Sequence, residues 1–149
     1  MDINHPFIQS LISKAVLYDN VVIDGFCGVG GVTEGFMKTG TYFVIACINH
    51  WDKAILSHQL KHPDCLHISE DFRTADLRLL SAIIWEIRKL NPAVTIHGWF
   101  SLECTNFSNA KGGMSRNADS RTLAEHLDQY LLILEPDVIW IENVKEFLL

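Results

Sequence analysis

The chain has 149 residues, a formal net charge of −6, and apolar residues over 48% of its length. That is the length of one domain able to bury a sizeable core, and the balance of apolar to charged residues argues against disorder. An acidic chain is also poorly suited to grip a nucleic-acid backbone by itself, because such contacts need lysine and arginine.

No apolar run reaches the ~20 residues of a membrane helix. The start, Met1-Asp2-Ile3-Asn4-His5-Pro6, lacks the basic-then-apolar pattern of a signal peptide. A soluble cytoplasmic protein is expected. The cysteines Cys27, Cys47, Cys65 and Cys104 lie 20, 18 and 39 residues apart, with no CxxC pair. This spacing fits no zinc ribbon or finger, so no metal is expected and the cysteines read as free thiols. Cys27, Cys47 and Cys65 read as small buried hydrophobes.

In chain order, Phe7, Leu11, Ile12 and Ala15 fall at helical spacing within residues 6–18. Val21 to Phe26 is a β-branched run ending in glycines, and Val32 to Lys38 is a short helix stopped by Gly40. Tyr42 to Ile48 reads as a second strand, and Asp52 is expected to cap a helix reaching about Lys61. Cys65 to Ile68 makes a third strand. Leu77, Leu80, Ile84 and Ile87 stripe a helix that Asn91-Pro92 ends. Ala93 to His97 is expected as a fourth strand. Leu123, Leu127, Tyr130, Leu131 and Leu134 stripe a last helix before Pro136, and Val138 to Ile141 is a fifth strand.

Such strand–helix alternation predicts an α/β fold, a Rossmann-like, doubly wound, mostly parallel sheet over residues 1–149. Ligands bind such sheets at the carboxyl ends of the strands. The first strand runs into Asp24-Gly25-Phe26-Cys27-Gly28-Val29-Gly30-Gly31. Glycines there allow a tight turn and close approach of a ligand, and the helix behind offers unpaired N–H groups. Thr33 stands where a dinucleotide fingerprint needs its third glycine, which argues against a nicotinamide-binding domain.

The spelling D-x-F-x-G-x-G-G resembles the first motif of the cytosine-5 DNA methyltransferases. Two further stretches resemble that family. Cys104-Thr105-Asn106-Phe107-Ser108 is similar to its nucleophile motif, and Glu142-Asn143-Val144 matches its sixth motif letter for letter. The resemblance covers about residues 21 to 147. It implies the S-adenosylmethionine-dependent methyltransferase form of the fold, incomplete on its C-terminal side, with the target-recognition region outside this chain.

By this resemblance, S-adenosyl-L-methionine is the cofactor, with Phe26 against it and Gly28, Gly30 and Gly31 at its methionine end. His50 takes the place of the family's ribose-binding glutamate, and Trp51 follows it. An imidazole offers one acceptor where a carboxylate offers two oxygens. Trp51 is equally readable as core packing. Asp71 would accept from the adenine amino group, Phe72 follows it, and Leu123 in Asp119-Ser120-Arg121-Thr122-Leu123 would lie near the adenine.

Cys104 is the implied nucleophile. Carbon 5 of cytosine is a poor nucleophile until a thiolate adds to carbon 6, and thiols suit that role near neutral pH. Glu142 would assist at ring nitrogen 3 as a general acid, and Asn143 would hold the nucleophile loop. Glu103 replaces the family's proline, and its side chain is expected to point away from the thiol. Lys111-Gly112-Gly113 reads as a solvated loop able to approach phosphate.

The implied partner is DNA, with a cytosine flipped out of the duplex, in a bacterial or phage restriction–modification setting. A second chain supplying the missing motifs is a further expectation, as is self-association through an exposed sheet edge. A non-catalytic cofactor- or partner-binding module, and methylation of RNA cytosine, are the alternative readings.

Overall fold

The computed structural model describes residues 1–102 and 126–143. Cys104, Leu123, Glu103, Lys111 to Gly113 and Val144 lie outside the described residues. The elements in order are α1 Pro6–Ala15, β1 Asn20–Gly25, α2 Gly31–Lys38, β2 Tyr42–Ile48, α3 Asp52–Lys61, β3 Leu66–Ile68, α4 Arg78–Leu90, β4 Thr95–Ser101, α5 Leu127–Leu134 and β5 Val138–Glu142. The five strands form one sheet in the order β3-β2-β1-β4-β5, and every described pairing is parallel. No helix among the described residues is long and apolar enough to cross a membrane.

Strand alternation divides the sheet into two faces. On one, Val21 and Ile23 of β1, Phe43 and Ile45 of β2, and Ile96 and Phe100 of β4 join a single core. Ile8, Leu11 and Ile12 of α1, Leu80, Ile83 and Ile87 of α4, and Leu127, Tyr130 and Leu134 of α5 fill it from the helix side. The apolar stripes read from the sequence are these helix faces. The other face carries Val22, Val44 and Cys65, packed by Phe36 and Met37 of α2, and a small cluster of Cys27, Cys47 and Ile55.

Two local features set which residues share a face. The β1–β2 register shifts after Val22↔Val44, so that Ile23 pairs with Ala46 and Asp24 with Cys47. β2 thus carries one extra residue, a bulge that resets the alternation. The second feature is Phe100, whose ring covers two glycines. A Cβ on Gly25 would lie 2.5 Å from Phe100 Cδ1, and one on Gly98 2.7 Å from Cε2.

β4 corrects one expectation. It was expected to end at His97 and to open there into a loop, yet it continues through Gly98, Trp99 and Phe100 to Ser101. Its partners explain the extension. Ile23, Asp24 and Gly25 of β1 pair with Gly98, Trp99 and Phe100, and Gly98 is a strand residue because the Phe100 ring needs its bare surface. Asp52 is the first residue of α3, with Trp51 at the cap position.

Candidate cofactor and catalytic site

The carboxyl ends of β1, β2 and β3 are tied together by backbone bonds. The amides of Phe26 and Cys27 both donate to Ile48 O, at 2.8 and 3.2 Å, and Asn49 N donates to Ile68 O at 3.1 Å. The turn between β1 and α2 closes with Gly30 N donating to Cys27 O at 3.0 Å. Phe26 sits at φ 65°, a left-handed conformation that costs energy for a side-chain-bearing residue and tends to occur at functional sites.

Gly30 is required twice over. Its φ is 94°, and a Cβ there would lie 2.9 Å from His58 Cδ2 and 3.1 Å from His62 Cδ2. At Gly28 and Gly31 a Cβ would meet nothing within 4 Å, so the backbone there is open to a ligand. A groove of about 550 Å³ lined by Val29, Gly30, Gly31, Glu34 and Lys61 runs beside the turn.

The Phe26 ring lies 4.5 Å from Phe72, centroid to centroid. Phe72 is buried and stacks on Tyr130 of α5 at 3.8 Å with the rings 5° from parallel. Phe100 meets both rings edge-on at 6.0 Å. This aromatic column carries the Phe26 turn on the hydrophobic core, and Phe72 acts as its middle member.

Trp51 does not pack in the core: it is 56% exposed, because its neighbour Asn49 turns the chain outward by accepting from Trp51 N at 2.9 Å. His50 is exposed as well. Asp71 follows β3, and its carboxylate receives Arg73 Nε at 3.0 Å and Nη2 at 2.7 Å. These bonds hold the Asp71 carboxyl down at about 2, so it is an anion at any working pH and an acceptor for a polar donor.

The described residues also bring the ends of β4 and β5 together. Ser101 pairs with Glu142, so Glu142 stands beside the strand end that leads, three positions on, to Cys104. Asn143 Nδ2 donates to Leu102 O at 3.3 Å, which pins the chain where the Glu103-Cys104 segment begins. The turn at Phe26, the Trp51–Asp71 edge and the Glu142–Asn143 end therefore lie along one rim of the sheet, in the strand order β3-β2-β1-β4-β5.

Behind the glycine turn runs a buried polar relay that sequence reading missed. Thr33 Oγ1 donates to Asp24 Oδ2 at 2.7 Å, and His58 Nε2 lies 3.0 Å from Thr33 Oγ1. His58 Nδ1 lies 3.0 Å from His67 Nε2. With the hydroxyl proton spent on Asp24, His58 donates to Thr33 and accepts from His67. Burial raises the Asp24 carboxyl to about 6 against the lowering effect of Thr33, and burial lowers His58 to about 4. No sequence signal marks this relay, because its members come from β1, α2, α3 and β3 and meet only through the fold.

The family model for C-5 cytosine-specific DNA methylase matches residues 21–149. The chain is 28% identical over 123 residues to the Type II methyltransferase M.HgiDI of Herpetosiphon aurantiacus, matching 83% of this chain and 36% of that protein. To the Type II methyltransferase M.HgiGI of the same organism it is also 28% identical over 123 residues, matching 89% of that protein. The structure is similar to that of a prophage-encoded DNA modification methyltransferase (E. coli), with TM-score 0.63, 25% identity, and coverage of 87% of this chain and 33% of that one. Its fold is also shared with the plantazolicin methyltransferase BpumL, at TM-score 0.51 and 16% identity over 96% of this chain and 55% of that one. The chain thus spans about a third of the length of M.HgiDI.

Proposed function

Because the chain belongs to the C-5 cytosine-specific DNA methylase family, we propose that it supplies the cofactor-binding and catalytic rim of a DNA cytosine-5 methyltransferase. The observation that carries this is the convergence at β4 and β5. Glu142 is opposite Ser101, and Asn143 holds the Leu102 carbonyl at the entrance to the segment bearing Cys104.

The residues present fit S-adenosyl-L-methionine. The turn leaves bare backbone at Gly28 and Gly31, Trp51 presents an exposed ring, and Asp71 presents an anionic acceptor. Phe26, Gly28, Gly30, Gly31, His50, Trp51 and Asp71 would hold the cofactor, with Phe72 backing Phe26 and Leu123 completing the adenine side. When bound, the cofactor supplies an electrophilic methyl group on a sulfonium.

The chain's own residues then divide the work. The Cys104 thiolate adds to carbon 6 of a cytosine turned out of the duplex. Glu142 hydrogen-bonds ring nitrogen 3 and shares a proton with it as negative charge builds on the ring. Asn143 is a positioning residue, acting on the nucleophile segment through the Leu102 carbonyl. DNA contacts made outside this chain would account for its net charge of −6, and a second chain could provide them.

The test is transfer of labelled methyl from S-adenosylmethionine to mixed-sequence DNA and, in parallel, to RNA, with cofactor binding followed by calorimetry. Incorporation into DNA that Cys104→Ala abolishes is the expected result. Incorporation into RNA alone would move the substrate class. Cofactor binding with no transfer to either would leave a cofactor-holding module, and nicotinamide binding without adenosylmethionine binding would overturn the reading.

A further inference from the structure

Generic sheet–helix packing would place aliphatic side chains between β2 and α3. This chain instead concentrates thiols and imidazoles there. Cys27 follows β1, Cys47 lies in β2 and His58 in α3, and all three are buried. One ligand atom from each lies within 4.8 Å of the others. We propose that Cys27, Cys47 and His58 form a buried zinc site that pins the glycine turn to β2 and α3.

The donor set selects the ion. Two thiolates and an imidazole are soft to borderline ligands, which favour zinc over magnesium or calcium. Two thiolate charges are cancelled by a divalent ion, and a neutral sum suits a site with no access to water. The two nitrogens of His58 face His67 and Thr33 at 3.0 Å each. One nitrogen taking the metal leaves the other its partner, the usual outer-shell arrangement for a ligating histidine.

A further donor stands beside the set. His62 is buried, its ring centroid is 4.9 Å from that of His58, and its Nε2 faces Glu34 Oε2 at 3.6 Å, outside the set. Cys65 is also buried, but its Sγ donates to Val44 O at 3.1 Å and does not belong to the set. The three ligands come from the turn after β1, from β2 and from α3, far apart in sequence, which is why spacing shows no zinc motif.

The experiment uses the full chain, stripped with chelator under reductant and without oxygen, then titrated with Zn²⁺ against a chromophoric competitor and separately with Co²⁺. About one Zn²⁺ per chain should bind, Co²⁺ should give near-ultraviolet thiolate charge-transfer bands, and zinc should raise the melting temperature. Cys27→Ser and Cys47→Ser should each weaken zinc binding by roughly 100-fold or more. Cys65→Ser and Cys104→Ala should keep the cobalt bands. The proposal is overturned if the unaltered chain gives no charge-transfer bands, a result that does not depend on any variant folding. It is also overturned if Cys104→Ala removes them.

Discussion

The two faces of the sheet teach different lessons. One is built from Val21, Ile23, Phe43, Ile45, Ile96 and Phe100 and is packed by α1, α4 and α5. Its energy comes from apolar area removed from water, and many aliphatic sequences of the same pattern would serve. The other carries Asp24, Cys47, His67, His97, Trp99 and Trp140, related by strand register. Stability there depends on particular hydrogen-bond partners, and a single replacement leaves a buried polar group unpaired.

The largest loss is expected on the aliphatic face. Phe100→Ala should cost about 3–5 kcal/mol in urea unfolding, since Phe100 is fully buried and supports the Phe72–Tyr130 stack. A smaller change on that face, Gly98→Ala, should cost about 1–3 kcal/mol by overpacking. Combining it with Phe100→Leu should cost less than the sum of the two single changes, because the added Cβ would otherwise meet the ring at 2.7 Å. Strict additivity would show that the ring does not depend on the glycine.

On the polar face, Thr33→Val should cost about 1–3 kcal/mol despite conserving shape, because Asp24 and His58 both lose their shared hydroxyl. A neutral result would reduce the contrast between the faces to one of composition. His97 gives the pH version. Its Nδ1 accepts from Trp140 Nε1 at 3.3 Å and its Nε2 donates to Asn20 Oδ1 at 2.9 Å, so it is held as the neutral ring. Burial lowers its pKa from 6.5. A depressed basic group contributes stability that is complete above 6.5 and is lost as pH falls through its folded value. Stability should therefore decline below about pH 6.5, with Trp140 fluorescence changing in step, and His97→Gln should flatten part of that slope.

The smallest effect belongs to the edge of the aliphatic face. Ile141 of β5 is 53% exposed, and Ile141→Ser should change stability by about 0.5 kcal/mol. Sedimentation of the same variant tests the expected self-association: a self-associating parent should dissociate more readily once this edge is polar.

These contrasts explain what was legible beforehand. The helix stripes at Leu11, Leu80, Ile84, Ile87 and Leu134 follow from periodicity, and the glycine turn from its own spelling, so the parallel sheet and its rim could be read directly. β4 was cut short because Gly98 and Trp99 look like loop residues until Phe100 is placed over the glycine. Trp51 was readable as core because hydrophobicity alone does not reveal the outward turn set by Asn49. The Asp24–Thr33–His58–His67 relay was invisible for a stronger reason. Its members are separated along the chain, and each taken alone is an ordinary buried or, for His67, half-buried residue.

The extra residue of β2 has a consequence beyond its local kink. A strand keeps a strict two-sided parity, and skipping Ile45 in the pairing inverts that parity for everything after it. Ala46 and Ile48 thereby join the aliphatic core, while Cys47 comes to the side of Asp24 and His67. Pairing β2 without the bulge, with every residue kept, would leave the composition unchanged, yet turn the thiol toward the oily layer and an alanine toward the imidazoles. The chemistry behind the glycine turn is thus addressed by a count of residues as much as by their identity.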